Sequence, residues 1–383
     1  LLCDPPYNLD TIKKRFGKEN SAPAKFGTDG VFARSSRGFM GKEWDNDVAF
    51  DPELWVAINE LLCPGAFCMA FSSTRTYHRM ATAIEQAGFV IHPMIGWIQG
   101  QGFPKATKIK DNKEFEGHRY GLQALKPSFE PICVFQKPYE GKPKDCILST
   151  GAGTLNIDGG RIPFEDDDSY VINTFDDGMK PFGGGAGHSY TSKKVKKENL
   201  GRAIYQTQSW ENNSVAGVGS VNDDWKGGRW PANVVISGDV DLWYSKFFYC
   251  AKASRSERDA GLEDMPDTVF GQSGGAQSKL AQGEEEYLQD SIGLNRIKRV
   301  KNPHPTVKPI DLIKHLATLL RPPAEFKSNL LVPFSGSGSE MIGALLAGWS
   351  RVVGVEIEKE SCEIAIKRIK HWTKEEKDER LLG

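Results

Sequence analysis

NLLVPFSGSGSEMIGALLAGWSRVVGVE, residues 329–356, is the stretch that decides the fold. Asn329 to Phe334 is a short apolar run, the composition of a strand buried on both faces. Ser335 to Ser339 is a Ser/Gly turn, Met341 to Ala347 has helical spacing, and Arg351 to Val355 is a second apolar run. Strand, turn, helix and strand in that order form one unit of a parallel sheet covered by helices. Gly336 and Gly338 allow the backbone to approach a ligand closely, and the helix beyond them presents free N–H groups. Glu356 ends the second strand about eighteen residues after Gly338, the separation at which an acid meets ribose hydroxyls. A solvent-facing Glu is the competing reading of that position.

Working outward, Ser361 to Trp372 reads as a helix, and the charged residues after it as a frayed helix end. On the other side, Ile310 to Leu320 reads as a helix halted by Arg321-Pro322-Pro323. It follows Asn302-Pro303-His304-Pro305-Thr306-Val307-Lys308-Pro309, an extended segment in which the Lys308 cation and the Thr306 hydroxyl suit the carboxylate end of an amino-acid-like ligand. A proline-rich linker is the alternative there.

At the far end, Leu1-Leu2-Cys3 reads as the end of a buried strand, and with no initiator Met the chain is expected to be truncated at its N-terminus. Asp4-Pro5-Pro6-Tyr7-Asn8 follows at once. In doubly wound sheets ligands sit beyond the carboxyl ends of the strands, where this turn falls. An exocyclic base amine is a poor nucleophile because its lone pair is delocalised into the ring. Hydrogen bonds from its N–H groups to Asp4 and to the Pro5 carbonyl would favour an attacking, pyramidal nitrogen. The prolines Pro5 and Pro6 stiffen that carbonyl, and Tyr7 offers a stacking face worth roughly 1–3 kcal/mol to a flipped base. An N-capping Asp ahead of a Pro-Pro turn is the bland alternative.

Between the ends, residues 52–62 and Thr74 to Ala87 have helical spacing, and Ala66 to Phe71, Phe89 to Ile98 and Pro131 to Phe135 are strand candidates. Residues from about 150 to 300 read as loop-rich. They hold Gly-rich stretches at Phe182 to Gly187 and Gly271 to Gly275 and an acidic cluster at Glu165 to Asp168. Asn233 to Ile236 and Phe247 to Cys250 are the best strands there, and Glu284 to Asp290 is a short helix candidate. The fold class is therefore α/β, a doubly wound, mostly parallel Rossmann-like sheet carrying a loop-rich insertion.

The chain has 383 residues, 39% hydrophobic and 26% charged, the range of a globular protein. No run of about 18 apolar residues and no signal-peptide pattern occurs, which points to the cytoplasm and away from a membrane. Seven scattered cysteines form no C-x-x-C pair, so neither a zinc knuckle nor a disulfide framework is expected. The net charge of −1 says nothing about a polyanionic partner, because local basic runs suffice, and two exist, at Lys193 to Lys197 and Arg296 to Lys301.

Together the three motifs resemble the DNA amino-methyltransferases of the permuted class, in which D-P-P-Y precedes the target-recognition region and H-P-T-x-K-P and the glycine loop come last. Gly38 to Asp45, Thr74 to Arg79, Gly102 to Lys105 and Gly228 to Asn233 resemble the phage and prophage branch, with its restriction-modification setting. The resemblance implies S-adenosylmethionine as cofactor, double-stranded DNA as partner, no metal, and a homodimer as an admissible state. It implies catalytic roles for Asp4, Pro5, Pro6 and Tyr7, and cofactor contacts at Thr306, Lys308, Pro333, Phe334, Gly336, Ser337, Gly338 and Glu356. It also divides the chain into a catalytic half (1–149), a target-recognition region (150–301), a cofactor-binding half (302–373) and a tail (374–383). Two departures stand out: Val332 occupies the position where the family carries Asp, and the further strand and cofactor contact that the family carries shortly before D-P-P-Y are not found.

Adenine N6 is the favoured target, with cytosine N4 as the alternative because the amine chemistry is the same. Cytosine C5 methylation needs a Cys nucleophile, usually as Pro-Cys, which the chain lacks. Protein glutamine methyltransferases place their related tetrapeptide after the glycine loop, the reverse of the order here. A catalytically impaired DNA-binding relative is the reading from another class, supported by Val332.

Overall fold

The computed structural model describes residues 1–8, 47–99, 105–109, 112–162, 169–175, 190–196, 230–237, 248–250, 252–271, 297–304 and 306–382. The candidate motif Gly38 to Asp45, most of Gly102 to Lys105, the Gly-rich stretch Phe182 to Gly187, the acidic cluster Glu165 to Asp168 and the helix candidate Glu284 to Asp290 lie outside them.

Contacts divide the chain into two units, residues 1–160 with 232–383, and residues 161–231. The first unit is built on a six-stranded sheet. Strand β1 (Leu2–Cys3) lies parallel to β2 (Phe67–Phe71), and β6 (Phe129–Gln136) is antiparallel to both β2 and β3 (Val90–Gln99). Next, β9 (Val234–Ser237) and β10 (Phe248–Tyr249) continue parallel to β3. Thus every strand except β6 runs the same way. β13 (Asn329–Pro333) and β14 (Arg351–Val355) form a parallel pair, with β13 beside β1.

Strand alternation sorts the core into two layers. Leu2, Met69, Phe71, Ile132, Val134, Leu330 and Val332 pack with the helix Ile310–Leu320, here α5. Leu1, Cys3, Cys68, Ala70, Cys133 and Phe135 face the other way, against α1 (Pro52–Leu61) and α2 (Tyr77–Gln86). Neighbouring residues on each strand thus enter opposite cores, the pattern of a sheet covered on both sides. α1 starts where Asp51 accepts a hydrogen bond from the Glu53 amide at 2.9 Å and Pro52 takes the first helical position. In β3 the register shifts between His92 and Ile95, where Pro93 cannot donate to the ladder.

The described residues of the segment 150–300 include paired strands. Strands β11 (Thr268–Gly271) and β12 (Ile297–Val300) form an antiparallel pair, and β12 takes up most of the second basic run. In the second unit, β7 (Ser169–Phe175) and β8 (Tyr190–Lys196) make a hairpin that includes Lys193, Lys194 and Lys196. Strands β4 (Lys105–Lys108) and β5 (Arg119–Gln123) form another hairpin, and α3 (Pro143–Thr150) and α4 (Arg255–Asp259) are short helices. The charged tail is not a frayed end, for the last helix, α7, runs Lys359–Leu382; its Lys and Glu residues are good helix formers. No helix among the described residues is long and apolar enough to cross a membrane.

Candidate active site

Three turns meet around one cavity of about 370 Å³, a size within the range of small-molecule sites. Asp4 to Tyr7 after β1, Pro333 to Ser337 after β13, and Val355 to Glu358 at the end of β14 line it, with His304 and Thr306 from the extended segment. Residues more than three hundred positions apart are thereby brought to one edge of the sheet, the edge beyond the strand carboxyl ends where such folds bind ligands.

The glycine turn is shaped by close approach. Phe334 adopts φ 58°, a left-handed conformation uncommon outside glycine, and Gly336 follows at φ 48°. A Cβ at Gly336 would meet His304 Nε2 at 2.8 Å, so only glycine lets the extended segment lie against the turn. At Gly338, φ 85°, a Cβ would meet that of Ala365 at 2.9 Å. Behind the turn, the wholly buried Arg368 donates from Nη1 to the Ser337 carbonyl at 2.7 Å and to the hydroxyls of Ser337 and Ser339. Asn302, also wholly buried, donates to Ser337 Oγ at 3.1 Å. Glu356 closes the loop: its carboxylate accepts the amides of Gly336, Ile357 and Glu358 at 2.7, 2.9 and 2.9 Å.

The acid-proline-proline-tyrosine turn is held as firmly. Tyr7 Oη donates to Asp4 Oδ1 at 2.7 Å, and Lys308 Nζ donates to Asp4 Oδ2 at 2.5 Å and to Tyr7 Oη at 3.1 Å. Glu130 approaches the same ammonium at 3.7 Å, and Gln99 donates to Glu130. Burial alone would lower the Lys308 pKa, but the carboxylates of Asp4 and Glu130 outweigh it and hold the ammonium above its ordinary value. Burial, and then the Asp4 charge, raise the Tyr7 phenol, so it stays protonated and able to donate. From α2's leading turn, Thr76 Oγ1 donates to the Tyr7 carbonyl at 3.1 Å and Arg75 to the Asn8 carbonyl at 3.2 Å.

Of the residues singled out from the sequence, Asp4, Pro5, Pro6, Tyr7, Thr306, Pro333, Phe334, Gly336, Ser337 and Glu356 line the cavity. Gly338 lies just behind it, at the N-cap of α6 (Ser339–Leu346). Lys308 sits differently from the expectation. It does not line the cavity, and its buried ammonium is paired with Asp4. Val332 is fully buried in the core layer beneath α5 and offers the cavity no polar group. Arg368, Asn302, Thr76 and Glu340 were not singled out; a lone sequence does not show which polar residues are buried, and burial is what gives these their importance.

An α/β sheet with a glycine turn, an acidic turn and a proline-flanked lysine converging on one cavity defines a protein that binds a nucleotide-like ligand beside a polar reaction centre. The particular family follows from its sequence: a family model described as DNA methylase matches residues 1–367, and the chain belongs to this N6/N4 DNA methylase family. Over 162 residues, 37% of this chain, it is 26% identical to the type II methyltransferase M.HindIII of Haemophilus influenzae. The match spans about half of that relative, 52% of its length. Among solved structures, M1.HpyAVI is similar at 12% identity and a TM-score of 0.36, over 96% of this chain and 85% of that one. The cytosine-N4-specific PvuII DNA methyltransferase is similar at 9% identity and a TM-score of 0.33, over 97% and 83%.

Proposed function

We propose that the chain is an S-adenosylmethionine-dependent DNA methyltransferase of the permuted, phage-like branch that methylates the exocyclic amine of a flipped base, adenine N6. The observation that carries this reading is the Lys308–Asp4–Tyr7 network opening onto the same cavity as the glycine turn. S-adenosylmethionine, when bound, supplies a methyl carbon made electrophilic by its sulfonium. The residues present fit it: glycine backbone for close approach, four carboxylates and no lysine or arginine among the described residues lining the cavity, against a ligand with two positive centres.

In this reading Asp4 accepts an N–H of the base amine and the Pro5 carbonyl accepts the other, directing the nitrogen lone pair toward the methyl carbon. Lys308 donates to Asp4 Oδ2 and so fixes the carboxylate that accepts the amine. Tyr7 stacks on the flipped base, its hydroxyl anchored to Asp4. Asp4 Oδ1 would take the proton that the amine loses on gaining the methyl group, and would pass it to solvent. Double-stranded DNA is the substrate, residues 150–301 are the target-recognition region, and residues 1–149 and 302–373 are the catalytic and cofactor halves. The turn would accept cytosine N4 by the same chemistry.

The test is to incubate duplex DNA of mixed sequence with isotopically labelled S-adenosylmethionine and map the modified base. Methyl-N6-adenine is the expected product. Asp4→Ala should lower the rate by about 10²–10³-fold, the scale of losing one positioned transition-state group, while retaining cofactor binding. Unchanged methylation by Asp4→Ala, or methylation of carbon instead of nitrogen, would overturn the mechanism.

A further inference from the structure

The cavity contains an acid that the network around Asp4 does not use. Glu340 is the second residue of α6; it lines the cavity, yet only 5% of it is exposed. The partly buried acids of this unit have donors: Asp4 has Lys308 and Tyr7, Glu356 has three amides, and Glu257 accepts the first amide of α5 at 2.7 Å. Glu340 is more deeply buried than these, and burial, and then the Asp4 carboxylate, work against its charge, with Lys308, a backbone hydrogen bond from its own amide and Arg368 opposing them. The balance pushes its carboxyl up to about 7. Other titratable groups near it are Cys3 and Tyr7 from the turn of β1. Across the cavity stand His304, held neutral by burial at about 4, with Glu356 and Glu358. A carboxylate set beside another carboxylate is costly to bury, and a cation arriving in the cavity would relieve that cost.

We propose that Glu340 is the counter-charge for the cationic end of the methyl donor, its sulfonium or α-ammonium, and thereby a residue that sets affinity for charged over neutral adenosine ligands. The inference rests on the methyl-donor reading above. Val332 gives the cavity no acid, and Glu340 enters it from the adjoining helix.

Three ligands separate the outcomes by calorimetric titration of the full chain: S-adenosylmethionine carries both charges, S-adenosylhomocysteine only the ammonium, and 5′-methylthioadenosine neither. Glu340→Gln should weaken S-adenosylmethionine at least tenfold and leave 5′-methylthioadenosine within twofold. An equal loss for S-adenosylhomocysteine assigns Glu340 to the ammonium; a loss confined to S-adenosylmethionine assigns it to the sulfonium. In the unaltered protein, titrations in buffers of different ionisation enthalpy should register proton release near pH 7 with S-adenosylmethionine and none with 5′-methylthioadenosine, a readout that does not depend on any variant folding. Undiminished affinity of Glu340→Gln, an equal loss for the uncharged ligand, or binding of the cation without proton release would overturn the proposal. Wild-type protein that binds none of the three overturns the methyl-donor reading itself, and with it this one.

Discussion

Gly336 shows how much of the site depends on a missing side chain. Its left-handed φ and the 2.8 Å approach of His304 Nε2 leave no space for a methyl group. Gly336→Ala is expected to destabilise the fold by about 2–5 kcal/mol, from ~1–2 for the left-handed backbone and ~1–3 for overpacking. Urea unfolding checks this, and the cost should shrink in a His304→Ala background if the clash contributes as drawn. The glycines were legible in the sequence because a Ser/Gly run between a strand and a helix marks a turn where the backbone must come close to something. Lys308 was legible as a site residue but not in its partner: proximity to Asp4 spans most of the chain, and no local pattern encodes it.

The apolar and regularly spaced elements announced themselves best. The runs that became β13, β14 and α5 are nearly continuous in apolar residues or regular in spacing, and their bounds match the expectation to within a residue. The hairpins did not, since β8 and β12 fall on the two runs rich in lysine and arginine, whose composition does not mark a strand. The direction of β6 was equally invisible, because a buried antiparallel strand has the same composition as a parallel one. Helix α5 also carries a pH signature. Burial holds the His315 imidazole down at about 4, well below its ordinary value of 6.5. The unfolded chain therefore takes up a proton that the folded one refuses. Its contribution is fully present above pH 6.5 and is lost as the pH falls toward 4. From this group alone, stability should decline by roughly 3 kcal/mol over that range. Denaturation midpoints measured from about pH 7 to 4 should fall less steeply for His315→Gln; parallel curves would show that this imidazole does not govern the acid limb.

At the scale of the whole molecule, the first unit holds the cavity and both core layers, while residues 161–231 form a unit of their own. Replacing 161–231 by a flexible linker should leave cooperative unfolding and S-adenosylmethionine binding within a few-fold of the intact chain, while sequence-selective methylation of DNA drops at least a hundredfold. Calorimetry and mapped methylation on mixed-sequence duplexes would check both halves, and loss of cooperative unfolding would show that the insertion is part of the core. Finally, the tie between Lys308 and Asp4 has a bearing on synthesis. The ribosome must release the lysine about three hundred residues after the aspartate, so the pair can close only once both segments have emerged, and a contact of that sequence separation is slow to form.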